Sequence, residues 1–425
     1  MASGSTRLGA LSLRTNFAWT FLGTGVYSAA RWLTVSILAK LVTPGVVGQY
    51  ALAIAVVTPV FVLSNMELRL IQATDAKREH LFRDYIALRG ATTLFALAAC
   101  AVVACVIRPE IRMLIILMSM CQAVEALADI IFGLFQLDER MDRIARSMML
   151  RGPARLVCLG VVLYVTRDVV LGTLAELGAT ATVLLLHDVP MAARLLRSHE
   201  RELSVGDGIL PRWVTSELRR MVRVSLPLAG LVSVLAIQAQ LPRYFVESFS
   251  GTRELGIFAA IATLGAVGTP VWTALAQAAT PRLARHWFAS ELKQFWRLRR
   301  RLMGVAALLG GGGLAVVSVA GARLLRFFYT ADYATHAQLL VWTTAAAGVG
   351  YLSNVLGVSL SSTRRLAAQF RVQLAVTVLT LPMYYLAAEK FGATGVAGTL
   401  LAQNVMQLAT YAAITFRGDR IGLAT

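Results

Sequence analysis

Apolar residues run along this chain in long blocks, not in the period-two alternation of half-buried strands or the single stripe of a surface helix. A bilayer core requires about twenty apolar residues per helix. Blocks near that length recur at 17–39, 46–66, 90–107, 113–135, 152–166, 169–192, 224–246, 255–279, 302–320, 337–361, 372–388 and 392–413, the fifth being short. The pattern predicts an all-α integral membrane protein of about twelve transmembrane helices. Polar positions inside the blocks are few and ordered. In the first, Thr20, Thr24, Tyr27, Arg31 and Thr34 follow at steps of four and three and therefore share one helix face.

That face is unsuited to lipid. A guanidinium deep in hydrocarbon costs about 2.5–3.5 kcal/mol on insertion scales, so Arg31 is expected to face protein or a watery cavity. Further polar rows follow in the seventh block (Ser233, Gln240, Tyr244, Glu247) and the eighth (Thr263, Pro270, Thr273, Gln277, Thr280). They are read either as cavity walls or as hydrogen bonds to neighbouring helices. Glu125 and Asp129 lie four apart on the fourth helix, and Glu176 and Asp188 lie in the sixth. The first pair suits a proton or cation site for ion coupling, because adjoining carboxylates raise each other's proton affinity; a structural pairing with an arginine such as Arg155 is the competing reading.

The chain also resembles itself. Leu41–Ala55 (LVTPGVVGQYALAIA) aligns with Phe249–Thr263 (FSGTRELGIFAAIAT), pairing Gly48 with Gly256, Tyr50 with Phe258 and Ala51 with Ala259. Pro59 and Pro270 fall at nearly matching places in the second helix of each half. Paired repeats with interrupted helices are a pointer to a transporter whose site lies between halves. The expected architecture is thus two six-helix lobes, 1–210 and 211–425, around a central cavity.

Composition supports the membrane reading. Of 425 residues 57% are hydrophobic and only 15% charged, against the roughly 25% charged of a soluble domain, and the mean hydropathy is +0.65. The net charge of +18 suggests nucleic acid at first sight. Topology absorbs it: with a cytoplasmic N-terminus, 31 of the 41 Lys and Arg fall in inside segments and nine in outside ones, Arg31 being the remainder. The positive-inside rule then puts both termini in the cytoplasm, and no nucleic-acid partner is expected. Arg7 and Arg14 precede an apolar run as in a signal peptide, but hydrophobicity resumes after Arg31, so a retained first helix is expected. The segment 194–223, with Gly206-Asp207-Gly208 and Pro211, and the stretch after Pro281 read as amphipathic helices on the inner leaflet.

Enzymatic signatures are missing. No phosphate-binding Gly-x-x-x-x-Gly-Lys-Ser/Thr occurs; Gly310–Gly313 reads as close helix packing. The four cysteines and five histidines lack metal or disulfide spacing. No catalytic residue, metal or cofactor is expected.

Several stretches carry a resemblance: Leu41–Ala53 (LVTPGVVGQYALA), Leu226-Pro227-Leu228, Ile237–Val246 (IQAQLPRYFV), Leu255–Ala260 (LGIFAA), Thr280–Arg285 (TPRLAR) and Phe391–Gly398 (FGATGVAG). In this order they resemble the polysaccharide transporter family, the O-antigen and exopolysaccharide flippase branch of the multidrug/oligosaccharidyl-lipid/polysaccharide exporter superfamily. The resemblance implies an inner-membrane carrier that moves undecaprenyl-diphosphate-linked oligosaccharide to the periplasmic leaflet by alternating access, for O-antigen, capsule or exopolysaccharide synthesis. Its implied partners are the lipid-linked oligosaccharide, membrane lipids, a polysaccharide polymerase and a chain-length regulator. One departure stands out: family members commonly place an acid before the seventh-helix cation, whereas Pro242 precedes Arg243 here. A fork of donors matches phosphate, so Arg31 is the foremost substrate contact, with Tyr27, Thr24, Gln240, Arg243 and Gln277 beside it. The alternatives are a proton- or sodium-coupled drug exporter of the same superfamily and a membrane-embedded glycan polymerase. The short outside segments speak against the polymerase.

Overall fold

In the computed structural model, residues 13–75, 79–203 and 208–422 are described; Arg7 and Gly206-Asp207 lie outside them. The helices are α1 (Leu13–Leu41), α2 (Pro44–Asn65), α3 (Leu68–Thr74), α4 (Phe82–Val106), α5 (Pro109–Leu137), α6 (Met141–Thr166) and α7 (Val169–Val183). A π-helical turn, Leu184–Asp188, joins α7 to α8 (Val189–Leu203). Then come α9 (Thr215–Gly265), α10 (Thr269–Phe288), α11 (Leu292–Phe328), α12 (Ala331–Ala334), α13 (Ala337–Ser362) and α14 (Leu366–Gly422). No strand occurs among the described residues.

Nine stretches among the described residues are long and apolar enough to cross a bilayer. Two of them are interrupted by glycines at positive φ, Gly251 in α9 (φ 82°) and Gly392 in α14 (φ 56°). Side chains with a Cβ rarely enter that region, so these glycines permit the chain to double back. Counted as two crossings each, these two stretches bring the nine to eleven; α1, which falls short of the same hydropathy, carries the first of the predicted blocks.

The elements start earlier than hydropathy suggests. The fifth crossing begins at Met141, eleven residues before the apolar block, and the ninth at Leu292. In α6 the early turn is held by Asp142, which is buried and accepts from Arg140 Nε and Nη2 at 2.9 and 3.0 Å; in α11 it is the buried Phe295, with Lys293, Arg297 and Arg300 left exposed. The two expected surface helices are not separate elements. Residues 215–223 form the first turns of α9, where Leu218, Met221 and Val222 pack on Met66, Leu68, Tyr85 and Leu88. Trp287, Phe295 and Trp296 close over one another where α10 passes into α11. Leu218, Met221, Val222 and Phe295 are thus packed on protein, whereas Trp213 and Phe288 of the same segments stay exposed, at 61% each.

The two prolines also differ. Pro59 lies inside an unbroken α2, whereas Pro270 opens α10 after the turn at 266–268. The break in the first half comes later, at Met66 and Glu67, both left-handed at φ 50°.

The chain divides into two compact units. The first takes the chain up to Thr34 and Ala53–Ala236; the second takes Val35–Leu52 and the chain from Ile237. In the first, α6 runs along α7, α4 along α5, and α3 lies on α5. In the second, α13 packs on α14, α11 and α10. Here the aligned glycines of the repeat meet: a Cβ on Gly48 would lie 1.8 Å from the Thr252 carbonyl oxygen, and one on Gly256 1.8 Å from that of Pro44. Gly310 and Gly348 make a similar backbone crossing between α11 and α13. Beyond α11, Tyr329 is buried and its hydroxyl donates to the Ala260 carbonyl at 2.7 Å; burial pushes this phenol up, keeping it neutral.

Candidate functional site

The first unit contains a cavity of about 230 Å³. Its walls come from Tyr27 and Arg31 of α1, Asn65 and Arg69 on either side of the left-handed break, Gln122, Glu125, Asp129 and Phe132 of α5, and Met148 and Arg151 of α6. Successive turns of α5 place Gln122, Glu125, Asp129 and Phe132 on one face, at the three- and four-residue steps a helix requires.

Charge pairing organises these walls. Arg151, 1% exposed, donates to Glu125 Oε2 at 3.0 Å and also to Asp188. Asp129 accepts from Arg69 Nη1 and from Arg89 Nη2, each at 3.2 Å. Arg89 is fully buried and its other arm reaches Asn65 Oδ1. Arg155 pairs with Glu176 and reaches the Tyr27 hydroxyl, which itself donates to Glu125 Oε1 at 2.8 Å. Phe132 presents its ring to both Arg69 and Arg151, the two Cζ atoms each 5.6 Å from the centroid. The π-helical turn adds one residue to its helix turn and sets Asp188 against Arg151 and Ser147 Oγ, the latter at 3.0 Å. Buried charges persist only with partners, because their desolvation is costly. Glu125, Asp129, Glu176 and Asp188 each have at least one arginine.

Arg31 differs from the other arginines. It lines the same cavity, is exposed, and has no ion pair or hydrogen bond among the described residues. The lining thus holds three arginines against two carboxylates, and the guanidinium left over is Arg31. Its fork of donors is available to an anion entering the cavity.

The structure brings together Tyr27, Arg31, Glu125 and Asp129. Thr24 is on α1 but not on the cavity lining; Thr20 and Thr34 bond to carbonyls of their own helix. The remaining expected residues belong to the second unit. Arg243 Nη1 donates to Gln240 Oε1 at 2.7 Å. Gln277 lines a second cavity, of about 550 Å³, with Thr273 and Thr280 from the same predicted row. Arg69, Arg89 and Arg151 were not singled out by the sequence, which assigned them to cytoplasmic connections. The signal was present nonetheless: four acids inside apolar blocks require four cations, and these arginines flank the same blocks.

The chain matches the family described as "Polysaccharide biosynthesis protein" over residues 13–287. It is 19% identical over 397 residues to "Capsular polysaccharide biosynthesis protein CapF" of Staphylococcus aureus, covering 93% of this chain and 97% of that one. Among solved structures, an outward-facing multidrug resistance MATE family transporter of the MOP superfamily superposes with a TM-score of 0.63 at 12% identity, over 96% of both chains. An inward-facing form of such a transporter gives 0.59 at 15% identity, over 96% of this chain and 95% of that one. The chain has the all-helical MATE-like transporter fold and is a multi-pass membrane protein. With the family matched across well over half its length, the chain belongs to the polysaccharide biosynthesis protein family.

Proposed function

We propose that this protein is a flippase that moves undecaprenyl-diphosphate-linked oligosaccharide across the bacterial cytoplasmic membrane by alternating access, with both termini in the cytoplasm. Family and fold point to a membrane transporter rather than an enzyme. The observation that carries the cargo assignment is the free guanidinium of Arg31 on a cavity whose other charges are matched. A desolvated diphosphate cannot cross hydrocarbon unaided, because each bare charge costs many kcal/mol. A fork of N–H donors replaces part of the lost hydration and needs no acid to be expelled first.

Tyr27 sits on the same lining as Arg31, its hydroxyl held between Glu125 and Arg155. Glu125 and Asp129 serve as the coupling site: a proton or cation arriving on Glu125 weakens its hold on Arg151 and Tyr27 and so changes the charge offered to substrate. A cationic drug as cargo would need an acid left unmatched on this lining, and both acids there face arginines. A deletion strain tests the reading. Lipid-linked oligosaccharide should accumulate on the cytoplasmic leaflet and return to the periplasmic one on complementation. A deletion strain with wild-type leaflet distribution would refute it.

A further inference from the structure

The cavity of the second unit, about 550 Å³, has no charged residue on its lining, and its size falls in the usual range for small-molecule sites. Its polar groups are amides and hydroxyls. Gln277 on α10 and Asn354 on α13 are exposed, and neither amide has a hydrogen-bond partner among the described residues. Asn404 on α14 lines the same space and donates to the Ala346 carbonyl at 3.0 Å, its amide oxygen having no hydrogen-bond partner among the described residues. Trp272 and Tyr351 stack on one another at 6.4 Å, with the Tyr351 hydroxyl fixed 3.2 Å from Thr269 Oγ1.

We infer that this cavity is a carbohydrate subsite that takes the uncharged sugar portion of the cargo. An amide carries a donor and an acceptor side by side, the pair that two adjacent sugar hydroxyls complement, and three helices each contribute one. Trp272 and Tyr351, buried and packed on one another, give the cavity an apolar wall against which the C–H face of a pyranose can lie. An acyl chain would fill the space but strand Gln277 and Asn354 without partners, which polar groups resist. A diphosphate would find no cation. Uncharged, polyhydroxylated and partly apolar is the description of a sugar. The inference rests on the flippase reading for the identity of the cargo.

The test uses the full-length protein in lipid nanodiscs, calorimetry, and two probes. One is the phosphate-free glycan released by mild acid from the host strain's own lipid-linked intermediates; the other is inorganic pyrophosphate. Wild-type protein is expected to bind both. Gln277→Leu and Asn354→Leu should each weaken glycan binding about two- to tenfold, the range for one lost hydrogen bond, and leave pyrophosphate binding intact, which also shows that the variants are folded. Glycan affinity unchanged in both variants would overturn the inference, as would a cavity that takes farnesol in preference to the glycan. Pyrophosphate binding without glycan binding would overturn the subsite alone and leave the flippase reading standing. Glycan binding that depends on Gln277 and Asn354 in a protein blind to pyrophosphate would support the subsite and remove the role given to Arg31.

Discussion

The cavity beside α1 is walled by three arginines and two carboxylates, whereas the one beside α10 carries no charge on its lining. The contrast extends to what holds each unit together. In the first, arginines from α3, α4 and α6 are tied to acids of α5, α7 and the π-helical turn. In the second, helices approach until backbones touch, at Gly48 with Gly256 and at Gly310 with Gly348, an approach the first makes as well, at Gly23 with Ala145. Buried charge networks fix side-chain geometry but fail badly when one member is removed; glycine crossings depend on the absence of a single methyl group.

The largest expected effect breaks the charged side of this contrast. Arg151→Ala takes the guanidinium from both Glu125 and Asp188, leaving them only the Tyr27 and Ser147 hydroxyls and His187, and should cost about 3–5 kcal/mol of stability, read as a large fall in thermal midpoint in detergent. A midpoint equal to wild type would mean that the network does not support the first unit. Gly48→Ala or Gly256→Ala comes next. The added methyl collides with a carbonyl oxygen, and the helices must part at a cost of about 1–3 kcal/mol. Unchanged stability in both would show that the crossing adjusts freely.

Smaller in stability and more telling in function is Glu125→Gln. It keeps the shape and removes the charge, so the pH dependence of transport should flatten if Glu125 is the coupling group. An unaltered pH profile would take it out of that role. At the bottom of the scale, Thr24→Val should leave transport intact and stability within about 0.5 kcal/mol, because Thr24 shares a helix with Arg31 but not the cavity. Loss of transport in this variant would mean that substrate reaches further along α1 than the cavity does.

Much of the fold is written in the apolar blocks, since a bilayer sets span length and the doubling-back points fall on glycines. The glycine repeat was legible too: Gly48 and Gly256, matched by alignment alone, meet in space. Helix starts were not legible, because hydropathy reports where lipid would be comfortable and α6 and α11 continue beyond that point on paired or covered side chains. At the site, Arg31 was visible as a lone charge in a block. Arg69, Arg89 and Arg151 were hidden by the same physics that makes them important. Each lies near a block end, where a rule about loop charges counts it as topology, while its acid lies on a different helix far along the chain. Pairing across helices leaves no mark in local sequence.

The proposal that the spare guanidinium receives the cargo's phosphates is tested most directly by the leaflet distribution of lipid-linked oligosaccharide in cells whose only copy is Arg31→Ala, at matched membrane levels of folded protein. The expected result is accumulation on the cytoplasmic leaflet, partly relieved by Arg31→Lys, which restores the charge without the fork. Wild-type distribution in both variants would contradict it.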